Sequence, residues 1–335
     1  MDRAAHGYQS NAGNEQLRQA ITSWYKKFYQ VDLNPDDQVL PLQGSRQGII
    51  QISQALLSKG DQVLVPNPGY PSYTFAARFL DARPVLYDLS PENAYLPIIE
   101  QLEEKVNSKT KILWINYPHM PTGAVASKEY MQKLTDFAIK NNVLIINDNA
   151  YGLINNPGQI SLLQAEGALE TALELNSLSK NYHMAGWRMG FFAGSQKVIA
   201  HLLKLKSNLD SGIALPLQKA SATALNLGEN WVDGLQKVYS ERRKKALELA
   251  KILGCQPAGG QAGLFLWVSM PETMMKSKDF VKEMLNNAGV LLAPGSLFGN
   301  AGEGHLRISL CGGLALFDQA INNIQKSLIN LHKSN

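Results

Sequence analysis

Leu173-Glu174-Leu175-Asn176-Ser177-Leu178-Ser179-Lys180, followed at Gly186-Trp187-Arg188-Met189-Gly190, is the most informative stretch of the chain. It opens on an apolar run that reads as a buried strand, and it reaches a lysine flanked by small hydroxyl residues. A lysine just past a buried strand can lose its proton and condense with an aldehyde. Arg188, eight residues further on, presents a planar fork that suits a phosphate. Taken singly, either residue is more readily an ordinary surface side chain. Together they make the pattern S-x-S-K-x5-G-x-R-x-G, which is long and specific.

Outward from that stretch, short apolar runs alternate with helical patterns. Residues 63–65, 85–87, 112–115, 143–146, 173–175 and 191–193 read as buried strands, and 128–141 reads as a helix capped by Ser127. Buried runs without alternation, separated by helices, predict an α/β fold with a mostly parallel sheet covered on both faces. Ligands of such sheets sit at the carboxyl ends of strands. Toward the N-terminus, 15–30 is an amphipathic helix carrying Leu17, Ile21, Tyr25 and Phe28 on one face. A Gly44-Ser45 turn leads into a helix over 46–57, with Ser45 as its N-cap. After about Asn230 a long charged helix (231–253) precedes strands at 264–268 and 306–310. A last helix (316–333) has Ile321, Ile324, Leu328 and Leu331 on its apolar face. The expected division is a large α/β domain over 30–230 and a smaller α+β domain over 231–335, with 1–29 packed on or near the latter.

Composition narrows the function classes. The 335 residues are 45% hydrophobic and 18% charged, ample for a folded core. A net charge of +4, with Lys and Arg scattered, argues against nucleic acid. The two cysteines, Cys255 and Cys311, form no CxxC pair, which suits a reducing compartment. The polar start lacks a signal-peptide core, and no run approaches the roughly 20 apolar residues of a membrane span. The expectation is a soluble, cytoplasmic protein that binds neither nucleic acid nor membrane and calls for no metal.

The lysine stretch resembles the signature of the class I/II aminotransferases, fold type I enzymes that depend on pyridoxal phosphate (PLP). The likeness runs from about Tyr8 to Lys333, with the motifs in family order. It implies the fold type I architecture, in which Lys180 carries the cofactor as a Schiff base and shuttles protons, while Ser177 and Arg188 hold the phosphate. Asp148 and Tyr151, in Asn147-Asp148-Asn149-Ala150-Tyr151, resemble the family's D-x-A-Y. A carboxylate beside the pyridine nitrogen keeps it protonated, so the ring can accept electrons. A tyrosine hydroxyl near the phenolic oxygen stabilises its anion. Gly44-Ser45-Arg46 resembles the family's phosphate turn, where amides at a helix start suit an anion. Tyr70 stands where the family stacks an aromatic ring on the pyridine. Arg307, costly to bury in an apolar strand without an anion, resembles the arginine that grips the substrate α-carboxylate, and Asn116 joins it as a substrate contact. Tyr8 resembles the tyrosine that reaches the phosphate in a neighbouring subunit, which implies a two-fold homodimer with shared active sites.

Two departures stand out. Asn116-Tyr117-Pro118-His119-Met120-Pro121-Thr122-Gly123 resembles the family's N-x-P-x-N-P-T-G, but Met120 replaces the second asparagine, the donor to the phenolic oxygen. A thioether cannot donate, and a bond to a partly charged acceptor is worth about 1.5–3 kcal/mol. Family members also carry a glycine-containing segment before the position of Tyr8, of which this chain has almost none; either the sequence starts late or another element covers the site. The wording of the motifs is most similar to the LL-diaminopimelate and aspartate aminotransferases. The implied activity is ping-pong transfer of an amino group from an L-amino acid to a 2-oxo acid. The alternatives are another PLP reaction, such as carbon–sulfur β-elimination, or a PLP-binding relative with impaired catalysis, for which Met120 and the short start are the support. No recognisable position offers a second arginine for a dicarboxylate.

Overall fold

Residues 3–156, 158–271 and 275–333 are described in the computed structural model. The apolar runs form seven strands: β1 (Val39–Leu42), β2 (Gln62–Asn67), β3 (Arg83–Asp88), β4 (Thr110–Ile115), β5 (Leu144–Asp148), β6 (Ala172–Ser177) and β7 (Gly190–Gly194). They lie in one sheet in the order β1-β7-β6-β5-β4-β2-β3. Strands β2 to β6 run parallel to their neighbours among themselves, and β7 is antiparallel to both β6 and β1. The mostly parallel α/β sheet expected from the sequence is therefore present. Strand β1 was not expected, because Pro41 interrupts its apolar run; its place at the sheet edge tolerates the missing N–H.

Both faces of the sheet are covered. On one, the helices Ser45–Leu56, Pro71–Phe79 and Gln196–Leu209 bury Ile49, Ile52, Tyr73, Ile199 and Leu202 against Val63, Trp114, Leu175 and Phe192. On the other, the helices Glu15–Tyr29 and Lys128–Asn141 bury Ile21, Trp24, Tyr25, Leu134 and Phe137 against Leu64, Ile115, Ile145 and Phe191. Each such side chain contributes on the order of 1.5–3 kcal/mol when fully removed from water. The helix Glu15–Tyr29 thus belongs with the large sheet. Its apolar stripe packs against Phe191 of β7, with the Trp24 and Phe191 ring centres 5.9 Å apart.

That second sheet is antiparallel, in the order β10-β11-β9-β8, from β8 (Gln256–Pro257), β9 (Phe265–Ser269), β10 (Ala293–Pro294) and β11 (His305–Ser309). The helices Glu229–Ile252, Ser277–Ala288 and Leu314–Lys333 share its core, with Ile321 and Ile324 buried as expected. The side chains of Leu328 and Leu331 lie outside the described residues. Among the described residues no helix is long and apolar enough to cross a membrane.

Candidate active site

The carboxyl ends of β5 and β6 and the loop after β4 open into a cleft of about 550 Å³, which Phe265 and Arg307 of the second sheet also line. Into it project ten of the residues singled out from the sequence: Ser45, Arg46, Tyr70, Asn116, Asp148, Tyr151, Ser177, Lys180, Arg188 and Arg307. Lys180 lies in a four-residue helix, Leu178–Asn181, directly after β6.

One end of the cleft is built for an anion. The N-cap of the helix Ser45–Leu56 is Gly44, with φ 92°, and no side chain caps the first turn. Ser45 is therefore the first helical residue and not the expected cap, which leaves its hydroxyl to line the cleft. A Cβ on Gly44 would stand 2.5 Å from Arg188 Nη2 and push the guanidinium aside, and the φ of 92° itself favours glycine. Arg188 is itself in the left-handed region, at φ 54°, and donates from Nη1 to the Ala185 carbonyl (2.8 Å) and to Ser179 Oγ (3.4 Å). Arg46 turns aside: its Nε and Nη2 both donate to Tyr70 Oη, at 3.0 and 2.8 Å.

Asp148 lies deeper, as the last residue of β5 and 6% exposed. Its Oδ2 accepts from Tyr73 Oη at 2.8 Å, while Oδ1 has no hydrogen-bond partner among the described residues. Burial pushes its carboxyl up to about 6, against the hydrogen bond from Tyr73 and the charge of Lys180, which pull it down. Burial, then the neighbouring Asp148, raises the Tyr151 hydroxyl above its usual value, and Arg307 opposes this. Asn116 lines the cleft, but its Nδ2 donates to the Asp148 and Pro118 carbonyls and its Oδ1 accepts from the Met120 amide. Its polar atoms hold the loop to the strand end.

Arg307, on β11, has its guanidinium carbon 4.0 Å from the ring centre of Phe265 and 4.6 Å from that of Phe298. Its Nη1 donates to Met120 Sδ at 3.4 Å, and its Nε is unpartnered among the described residues. Burial pulls this guanidinium below its usual value. Such a cation, desolvated and without a counter-ion among the described residues, is a ready seat for a carboxylate.

Tyr8 stands apart at 93% exposed, outside the cleft of its own chain. The sequence reading missed Tyr73, Phe265, Phe298 and Ser179 as parts of this centre. Tyr73 was within reach, since it follows Tyr70 by three positions into a helix and so approaches the same region. Phe265 and Phe298 meet Arg307 only through tertiary packing.

These residues fit pyridoxal phosphate: an uncapped helix start with an arginine for a phosphate, a lysine amine for an aldehyde, and an orphaned buried carboxylate oxygen for a ring nitrogen. Comparison with known proteins agrees. The family model for aminotransferase class I and II matches residues 1–324. The LL-diaminopimelate aminotransferase of Dehalococcoides mccartyi is 39% identical over 311 residues, covering 92% of this chain and 80% of the relative. That of Aquifex aeolicus is 40% identical over 307 residues, covering 91% and 79%. Among solved structures, apo-BacF from Bacillus subtilis superposes with a TM-score of 0.94 at 34% identity, covering 97% of this chain and 84% of that one. An aromatic aminotransferase from Pyrococcus horikoshii superposes with a TM-score of 0.91 at 29% identity, covering 99% and 90%. The chain belongs to the class I and II aminotransferases, as a fold type I, PLP-dependent enzyme of the branch that includes the LL-diaminopimelate aminotransferases.

Proposed function

We propose that this aminotransferase takes an L-amino acid with its α-carboxylate on Arg307 and passes the amino group to a 2-oxo acid, with LL-diaminopimelate as the first candidate donor. The observation that carries this reading is a single cleft holding Lys180, the orphaned oxygen of Asp148 and the uncountered Arg307. The names of the relatives support the choice of donor.

Bound pyridoxal phosphate supplies an aldehyde for the amino nitrogen and a ring that takes up the electron pair of the α-carbon. Ser45, Ser177 and Arg188, with the amides at Gly44 and after it, are assigned to the phosphate. Tyr70, carried with Arg46, is assigned to the ring face. Asp148 Oδ1 would hold the proton of the ring nitrogen, and Tyr151 would serve the phenolic oxygen. Lys180 Nζ removes the α-proton as a base and returns it as an acid. Arg307 grips the carboxylate with its planar fork, and Asn116 keeps the loop beneath it in place.

Tyr8, free of its own chain's cleft, is assigned to the phosphate site of a second copy in a two-fold homodimer; a monomer-sized species in sedimentation would sink that assignment. The unpaired cysteines support a cytoplasmic setting. The division near residues 230 and 231 is assigned on the change of sheet.

The test is the absorption spectrum of the purified protein with added PLP, then with a panel of amino acids. A visible band that a donor bleaches and a keto acid restores is expected for wild type, with LL-diaminopimelate ranking first. Neither change is expected for Lys180→Ala. Release of a keto acid and ammonia without an acceptor would instead favour elimination. Absence of any band in wild type would refute the reading.

A further inference from the structure

The hydrogen bonding behind the cleft converges on a residue that faces away from it. Glu174, on β6, is 0% exposed and accepts from Ser161 Oγ (2.7 Å), Asn147 Nδ2 (2.8 Å), the Leu162 amide (2.9 Å) and Tyr25 Oη (3.0 Å), with Asn149 Nδ2 at 3.5 Å. None of these donors is a cation. A carboxylate taken wholly out of water without a counter-ion is costly, and an apolar side chain fits such a position more cheaply. Burial pushes this carboxyl up, and the bonds from Ser161, Asn147, the Leu162 amide and Tyr25 pull it back.

The bonded residues are the chain neighbours of the site. Asn147 and Asn149 flank Asp148. Asn147 also binds both backbone groups of Tyr117, accepting from its amide at 2.8 Å and donating to its carbonyl at 3.2 Å, one residue past Asn116. The Tyr25 hydroxyl accepts from Asn176 Nδ2 at 2.7 Å, one residue before Ser177. Successive strand residues point to opposite faces. Whatever fixes Asn147 and Asn176 on the far face therefore fixes Asp148 and Ser177 on the near one.

We propose that Glu174 is a positioning residue of this active site: its carboxylate clamps the strand ends of β5 and β6 and the loop after β4 from the far face of the sheet, and so sets Asp148 and Ser177 for the cofactor. The proposal rests on the functional reading given above.

The test is titration of the cofactor-free protein with PLP, followed by the visible band, together with steady-state kinetics. Glu174→Gln keeps the shape but sets an amide against the converging donors. Because a misplacement of about 1 Å costs up to roughly a hundredfold, it is expected to weaken PLP binding and lower kcat by about tenfold each, with KM for the donor within about threefold. In an Asp148→Asn background the loss of PLP affinity is expected to shrink to about threefold, the part carried through Ser177, since Glu174 and Asp148 otherwise share one effect. An unchanged PLP dissociation constant with only a lower unfolding temperature overturns the proposal, as does an equal loss in both backgrounds. Should Glu174→Gln fail to fold, Tyr25→Phe removes one donor from the same carboxylate. It is expected to weaken PLP binding about threefold, on the scale of one hydrogen bond, and no change would overturn the proposal. A wild-type protein that forms no band overturns the functional reading and this inference together, whereas a normal wild-type band with unmoved variants overturns this inference alone.

Discussion

Arg307 and Met120 set the character of the substrate end of the cleft. The guanidinium is held between Phe265 and Phe298, and the thioether of Met120 accepts from its Nη1 where the family's asparagine would offer an amide donor. A thioether is a weak acceptor, so an incoming carboxylate displaces it at little cost. The same substitution removes a donor to the phenolic oxygen of the cofactor. Met120→Asn is therefore expected to lower the pH midpoint of the visible band and to raise kcat/KM by about tenfold, on the scale of a hydrogen bond to a charged acceptor. A pH titration of the band checks this; a midpoint that does not move would show that the site stabilises the oxygen by other means.

At the scale of elements, local pattern shows where helices and most strands lie, while their partners are set by tertiary packing. Ser127 caps the helix Lys128–Asn141 by accepting from the Tyr130 amide at 3.1 Å, as its position in the sequence predicts. Ser127→Ala should cost about 1 kcal/mol of stability in urea unfolding and leave PLP affinity unchanged. A loss below about 0.3 kcal/mol would mean that water satisfies that exposed amide equally well. The helix Glu15–Tyr29 was legible too, from Leu17, Ile21 and Tyr25 on one face; its cap, Asn14, whose side chain accepts from the Leu17 amide at 2.8 Å, emerged only with the structure. The helix's partner was not legible, because periodicity shows that a face is apolar without showing which surface covers it. Strand β1 escaped notice for a related reason: Pro41 is excluded from a central strand but not from an edge, and edges exist only once the sheet is assembled.

For the whole molecule, two buried titratable groups tie stability to pH in opposite senses. Asp148 is raised from 3.8 to about 6 by burial, so the cofactor-free folded protein keeps a proton that the unfolded chain has released. Its contribution is fully present below about pH 4 and is lost as pH rises through 6, on the order of 3 kcal/mol in all. His119, 3% exposed and bonded through Nδ1 to Thr122 Oγ1 at 2.8 Å, is lowered to about 3 by burial. Its contribution is present above about pH 6.5 and is lost as pH falls toward 3. Cofactor-free Asp148→Asn should therefore exceed wild type in stability near pH 7.5 and approach it near pH 4, by urea unfolding. A difference independent of pH would show that another group carries the effect. Saturating PLP should reverse the order at neutral pH, because only the carboxylate holds the ring proton.

The sequence by itself determined the α/β class, most strands of the large sheet, five of the helices and ten of the cleft residues, because each rests on local pattern or on a motif of fixed spacing. Only the tertiary structure decided that Tyr73 holds Asp148, that Arg46 bonds Tyr70, that two phenylalanines enclose Arg307, and that Glu174 gathers donors from five separate residues behind the sheet. Those contacts join residues that packing alone brings together. Neither the 3.6-residue period of a helix nor the two-residue period of a strand carries information about which distant side chain fills the space it faces.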